Sequence, residues 1–301
     1  MRYLSELQGK LSAGEIVAEE FAVLASKGSR DVRFHGTAVF LRFKGKRYLV
    51  TARHVLWDKI EAERELFGEN DWPGFTSALP DKLAQYFRLE RARDQIFSII
   101  FRVPSIDEVL HGGGAQKRAF LMNLGAGPSF TVPYTFSDSH LDLAVVSLDQ
   151  RDSGFADELE ANGYVPIEES DIAMSPSGLG AHVFAVGFPS ATSTIGQIEL
   201  EAALKNWGSA YVSEPVFSFG RVAMIHDALQ YFWADMSIYP GNSGGGVVEG
   251  DKLVGIVSAQ AVLPLEGNPE LSARIPFGKI TKTAGLIALL DLQIEKDGFN
   301  G

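Results

Sequence analysis

Cysteine is absent from all 301 residues, which removes disulfides, thiolate chemistry and cysteine-bound metal together and suits a reducing compartment. Long apolar runs are missing too. The first stretch, MRYLSELQGKLSAGEIVAEEF, is interrupted by Glu6, Glu15, Glu19 and Glu20 where a secretory leader would need an apolar segment. Nowhere else is there an uninterrupted apolar run of membrane-spanning length. A cytoplasmic location with no membrane partner is therefore expected. Positive charge is scarce: 27 Lys and Arg stand against 38 Asp and Glu, a formal net charge of -11. A surface field of that sign repels polyanions, and no basic cluster interleaved with aromatics opposes it, so nucleic acid is not an expected partner. Nor is there a biased tract; 46% hydrophobic and 22% charged residues describe a folded globular chain.

What is present is mostly β-like. Ser12-Ala-Gly-Glu15 is a serine followed three residues on by glutamate. It stands before Ile16, Val17, Phe21 and Leu24 at helical spacing, with Gly28 as a stop, and predicts an N-terminal amphipathic helix within residues 1–30. GTAVFLRF and KRYLVTA then read as strands joined by a turn at Lys44-Gly45-Lys46. Residues 57–93 change to a helical pattern and read as an insertion. Strand-like runs resume at IFSIIFRV, AFLMNL, SFTVPYTF and DLAVVSL, completing a first half over 31–150. Residues 151–178 are polar and turn-rich, a linker. A second half over 179–301 holds HVFAVGF, QIELEAAL, AYVSEPVF, RVAMI, QYFWADM, GGVVE, KLVGIVSA and SARIPF, then closes on the helical spacing of KITKTAGLIALLDL. Many short strands in two sets predict an all-β fold of paired barrels forming one unit.

Three segments carry chemistry. Tyr239-Pro-Gly-Asn-Ser-Gly-Gly-Gly246 sets Ser243 among four glycines inside β-rich sequence. Glycine permits close approach of a second backbone and angles closed to other residues, so a serine there can expose its hydroxyl beside convergent N–H groups. Alone, the segment equally describes a tight glycine turn. Tyr48-Leu-Val-Thr-Ala-Arg-His54 places an imidazole directly after a buried-looking strand, able to take a hydroxyl proton near neutral pH. Leu141-Asp142-Leu-Ala-Val-Val146 places a carboxylate at the start of another, where an unpaired charge would be costly and an imidazole N–H would satisfy it. The remaining histidines, at 35, 111, 140, 182 and 226, lack metal-ligand spacing, and His111 with its three following glycines is not a phosphate loop. No metal and no organic cofactor are expected.

TARHV, DLAVV and GNSGG occur in the order His, Asp, Ser, and over about residues 34–290 the chain resembles the chymotrypsin-like or trypsin-like serine peptidases. It is most similar to the bacterial HtrA-like branch, through Asp235-Met-Ser-Ile-Tyr-Pro-Gly-Asn-Ser243, Gly255-Ile-Val-Ser258 and Gly187-Phe-Pro189. The resemblance implies two six-stranded β-barrels and hydrolysis of peptide bonds through an acyl-enzyme. In it His54 is the general base, Asp142 its orienter and Ser243 the nucleophile, and the N–H groups of Gly241 and Ser243 form the oxyanion hole. It further implies Ser258 near Asp142, a strand from Ser258 to Gln260 pairing with a protein or peptide substrate, and a specificity pocket bordered by Ser237, Gln260, Ser272 and Arg274. With no acid among those four, Lys or Arg before the cut is not expected. Small polar walls favour a small side chain there, whereas an inward Arg274 favours Asp or Glu.

The departures are specific. No PDZ-like domain is expected after residue 291, and Arg53 stands where many relatives have a small residue. Asn242 replaces the aspartate that pairs with a newly cut N-terminus in digestive enzymes, so propeptide activation is not indicated. The N-terminal helix and the insertion are the places for a regulatory partner. Two other readings stand beside the endopeptidase. One is a latent or non-catalytic partner-binding module on the same fold. The other, an α/β-hydrolase esterase, is disfavoured because there the serine comes first and sits at a strand-to-helix elbow.

Overall fold

A computed structural model describes residues 13–20, 34–56, 97–102, 119–123, 135–138, 140–149, 154–161, 164–189 and 215–298. The expected insertion at 57–93 lies outside them, as does the QIELEAAL run. The first half is built on the hairpin of β2 (Phe34–Phe43) and β3 (Lys46–Ala52). Lys44 and Gly45 between them take positive φ, 47° and 76°. That is the backbone of a two-residue type I′ turn, whose twist matches the strands it joins. β3 pairs onward with β7 (Leu143–Ser147), buried along its whole length, and β7 with β6 (Thr135–Asp138). On the other side lie β1 (Ala13–Glu20), β4 (Phe97–Arg102) and β5 (Ala119–Asn123), giving the order β5-β4-β1-β2-β3-β7-β6. A short β8 (Ile167–Glu168) runs parallel to β2 at Leu41 and Arg42, just beyond the stretch that β1 occupies.

One expectation is corrected here. Residues 13–20 form a strand, not the start of a helix. Their backbone pairs with Phe34–Val39 on one side and with Phe97–Arg102 on the other, a slot that only extended chain can fill, and this ladder overrides the local capping pattern. The described residues of the first half form an eight-stranded sheet; no ladder joins β5 to β6 among them, so the closure expected of a first barrel is not seen within the described residues.

The second half meets expectation. β9 (His182–Gly187), β10 (Val216–Met224), β11 (Tyr231–Asp235), β12 (Gly246–Glu249), β13 (Lys252–Leu265) and β14 (Asn268–Lys282) close in the order β10-β11-β14-β13-β12-β9. Alternation along β9 shows how the sequence does this. Val183 and Ala185 join the cluster inside the barrel with Phe232, Ala234, Val254 and Val257, while Phe184 and Val186 pack outward with Val248 and Phe217. Between the halves, the expected linker contains a short helix α2 (Phe155–Ala161), numbered after the single turn α1 (Arg53–Leu56) that follows β3. The C-terminal helix α3 (Thr283–Gly298) is present as expected, though its first predicted turn, through Lys282, belongs to β14. Leu286, Leu289 and Leu290 of α3 enter one cluster with Leu41, Tyr48 and Val145 of the first half and Leu253 and Ile256 of the barrel, so the helix clamps the two halves together. No described helix is long and apolar enough to cross a membrane.

The clamp contains a buried carboxyl. Asp297 is 2% exposed, and among the described residues its Oδ1 is paired to Gln293 Nε2 at 2.6 Å while Oδ2 has no partner within bonding distance. Burial pushes its pKa above the ordinary 3.8. A carboxyl raised in the folded state favours folding while protonated. That contribution is complete below the ordinary value and is lost as pH rises through the folded one. Asp297→Asn is therefore expected to melt at a higher temperature than the wild type at about pH 7.5, with the gap closing as pH falls toward 3.8. Thermal melts across pH check this.

Candidate active site

β3 ends in buried Thr51 and Ala52, and the chain turns at once into α1. Arg53 and Val55 on either side of His54 are 7% and 2% exposed, while the His54 side chain is 50% exposed. The turn is thus anchored by its neighbours and presents the imidazole to solvent. Asp142, just before β7, has φ 54°, the left-handed conformation that Asp tolerates better than most residues. That bend lets its carbonyl accept the Arg53 N–H at 3.0 Å. Its carboxylate turns under His54: Oδ1 accepts the His54 backbone N–H at 3.0 Å and Oδ2 lies 2.8 Å from Nδ1.

The same carboxylate is held from the barrel half. Ser258 Oγ donates to Oδ2 at 2.7 Å, and Thr281 Oγ1 donates to the neighbouring Leu141 carbonyl at 2.9 Å. Ser258 reaches it because it is the extra residue of a bulge: Val257 opposes Ile280 and Ala259 opposes Lys279, with Ser258 left over, and bulges re-aim side chains in this way. An ionised carboxylate only accepts, so Nδ1 carries the hydrogen and Nε2 is left as the acceptor.

Ser243 follows a tight turn in which the Asn242 N–H donates to Tyr239 O at 2.9 Å, with Gly241 at φ 100°. Proline then glycine at the two central positions suits a type II turn. The two glycines after the serine sit where backbones approach closely, Gly244 at the seam with the first half and Gly245 against β9 within the barrel. A Cβ on Gly244, itself at φ +86°, would stand 2.1 Å from Thr37 O, and one on Gly245 would stand 2.3 Å from Val186 O. The glycine density therefore reflects close backbone approach, as the sequence suggested. Ser243 O accepts the Thr37 N–H at 2.8 Å, which pins the serine to β2. Among the described residues the N–H groups of Gly241 and Ser243 donate to no protein acceptor, and no hydrogen bond joins His54 Nε2 to Ser243 Oγ.

Of the four expected pocket residues, Gln260 is the one whose surroundings are plainest. Gln260 opposes Gly278 across the β13–β14 ladder, and its Nε2 donates to Ile275 O at 3.1 Å. A Cβ on Gly278 would meet the side chain of Ile238, next to Ser237, at 2.7 Å. Ser272 and Arg274 instead lie exposed on the outer part of the hairpin, opposite Pro264 and Val262. Neither is bonded to Ser237 or Gln260.

Thr37 escaped the sequence reading, and so did the burial of Asn242. Thr37, fully buried, donates from Oγ1 to Gly241 O at 2.8 Å and accepts the Phe188 N–H at 3.1 Å. Its signal was a lone polar side chain in the apolar run GTAVF. Asn242 is 1% exposed with both side-chain polar atoms unpartnered among the described residues. Thr37→Val keeps the volume but strips a buried carbonyl and a buried N–H of their partner, so it is expected to cost about 2–4 kcal/mol in denaturant unfolding.

The trypsin-like peptidase domain family matches residues 36–256, a span that contains His54, Asp142 and Ser243, and the chain belongs to that family. Among solved structures, the crystal structure of Deg5 aligns with 95% of this chain over 91% of its own length, at 14% identity and a TM-score of 0.45. No curated protein sequence matches the chain.

Proposed function

We propose that the chain is a serine endopeptidase that cuts peptide bonds through an acyl-enzyme. His54 Nε2 takes the proton from Ser243 Oγ as the oxygen bonds to the substrate carbonyl carbon. The N–H groups of Gly241 and Ser243 receive the oxyanion. The imidazolium then gives its proton to the amide nitrogen as the C–N bond breaks, and water, activated by the same imidazole, releases the acyl group. The observation that carries this reading is the Asp142 carboxylate. It accepts from the His54 backbone, from His54 Nδ1 and from Ser258, and that arrangement leaves Nε2, on a half-exposed side chain, as the ring's free acceptor. The two unspent N–H groups beside Ser243 support the oxyanion role. Gln260, with Ser237 and Gly278, would border the pocket for the residue before the cut. No acid is among them, which supports a small or neutral side chain there.

The separation of Nε2 from Ser243 Oγ favours a second reading, a latent form that binds partners without cutting them. Incubation of the wild type with a peptide library, read by mass spectrometry, separates the two. Cuts clustered after small residues are expected, and an uncut library with the folded protein intact would leave only the latent reading.

A further inference from the structure

The barrel uses only part of its two longest strands. β13 has 14 residues and β14 has 15. β12 pairs with β13 over Lys252–Ile256, and β11 pairs with β14 over Phe277–Thr281. Beyond Gln260 the two strands pair only with each other among the described residues, and leave the barrel as a two-stranded ribbon. That ribbon displays Val262, Leu263, Leu265 and Leu271 at 54%, 53%, 45% and 54% exposure. Two strands alone are marginal in water, and a third strand with apolar side chains is what such a ribbon lacks.

The open edge of β13 begins in the candidate site. Ser258 holds Asp142, and the strand runs on through Gln260 into Ala261–Leu265. Where the ladder slips, between Gln260↔Gly278 and Val262↔Arg274, one residue of β13 faces three of β14. The irregularity therefore sits on β14, and the edge of β13 continues unbroken.

We propose that this outer ribbon is a specificity platform: an extended apolar stretch of the substrate, N-terminal to the bond cut, adds to the β13 edge along Ala261–Leu265 as a third strand. The proposal rests on the peptidase reading, in which the first three residues before the cut lie along Ser258–Gln260. An antiparallel ladder advances residue by residue, so the platform meets the fourth residue onward. Main-chain hydrogen bonds would hold the segment, and Val262, Leu263, Leu265 and Leu271 would select apolar side chains. Pro264 has no N–H to offer and weakens the ladder near its far end.

Binding to the full-length Ser243→Ala protein tests this without requiring turnover. Two fluorescein-labelled peptide pools end in three randomised residues, preceded in one by Leu-Val-Leu-Val and in the other by Ser-Gly-Ser-Gly. By anisotropy the apolar pool is expected to bind at least about tenfold tighter. Adding Val262→Ser, Leu263→Ser and Leu271→Ser should erase the difference. Leu263→Glu alone replaces that set if its melting shows a loss of fold. Equal binding of the two pools, or a preference that survives in the variants, overturns the proposal. So does a ribbon-dependent dimer in sedimentation velocity without pool discrimination, which would assign the ribbon to a second copy of the chain. Failure of the peptidase reading shows separately, as a wild type that leaves the library uncut while pool binding still gives its own answer.

Discussion

Ser243→Ala is expected to lower peptide turnover by about 10⁴-fold or more while leaving substrate affinity nearly unchanged. In the proposed mechanism the nucleophile acts only in the covalent step, and the proposed substrate-pairing edge of β13 and the turn N–H groups do not depend on its hydroxyl. Ser243 is held through its own carbonyl, which accepts from Thr37, so the alanine variant keeps the seam between the halves. Its melting temperature should match the wild type. Steady-state kinetics on a peptide found by library cleavage, beside a thermal melt, checks both parts. A variant that retains a tenth of wild-type turnover would remove Ser243 from the mechanism.

Asp142→Asn should lower turnover by a similar factor, about 10⁴-fold, for a different reason. The carboxylate now accepts from three donors, the His54 N–H, the Nδ1–H and the Ser258 hydroxyl. An asparagine offers one oxygen and one NH₂. If its NH₂ faces the ring, Nδ1 must become the acceptor and the hydrogen moves to Nε2, which can then no longer take the serine proton. Binding should again change little, so the loss falls on kcat. Ser258→Ala, which removes only one of the three donors, should cost far less, about tenfold. Equal losses for the two variants would mean that Asp142 acts through the fold rather than through the imidazole.

Much of the site was legible because each part of it is local. A histidine directly after a buried strand, a carboxylate directly before one and a serine framed by glycines each have a short-range signature. The hairpin turn at Lys44-Gly45 and the C-terminal helix are local in the same sense. What sequence did not show depends on partners distant in the chain. The Ser12-to-Glu15 pattern is a sound helix start in isolation, and nothing near it announces that residues 13–20 fill a slot between β2 and β4. The resemblance implied Ser272 and Arg274 at the pocket; they stand past the slip between Gln260↔Gly278 and Val262↔Arg274, on the outer part of the ribbon, and Gly278 is the residue opposite Gln260. Thr37 is one polar residue in an apolar run, and nothing near it in sequence announces that its hydroxyl bridges Gly241 and Phe188.

The most direct test of the account is labelling by a fluorophosphonate probe, which reacts with a serine only when a base has activated its hydroxyl. Mass spectrometry should find the wild-type protein modified once, at Ser243, with labelling lost in Ser243→Ala and strongly slowed in Asp142→Asn. A folded wild type left unlabelled, or one labelled at another serine, would contradict the central claim that His54, Asp142 and Ser243 work as one catalytic unit.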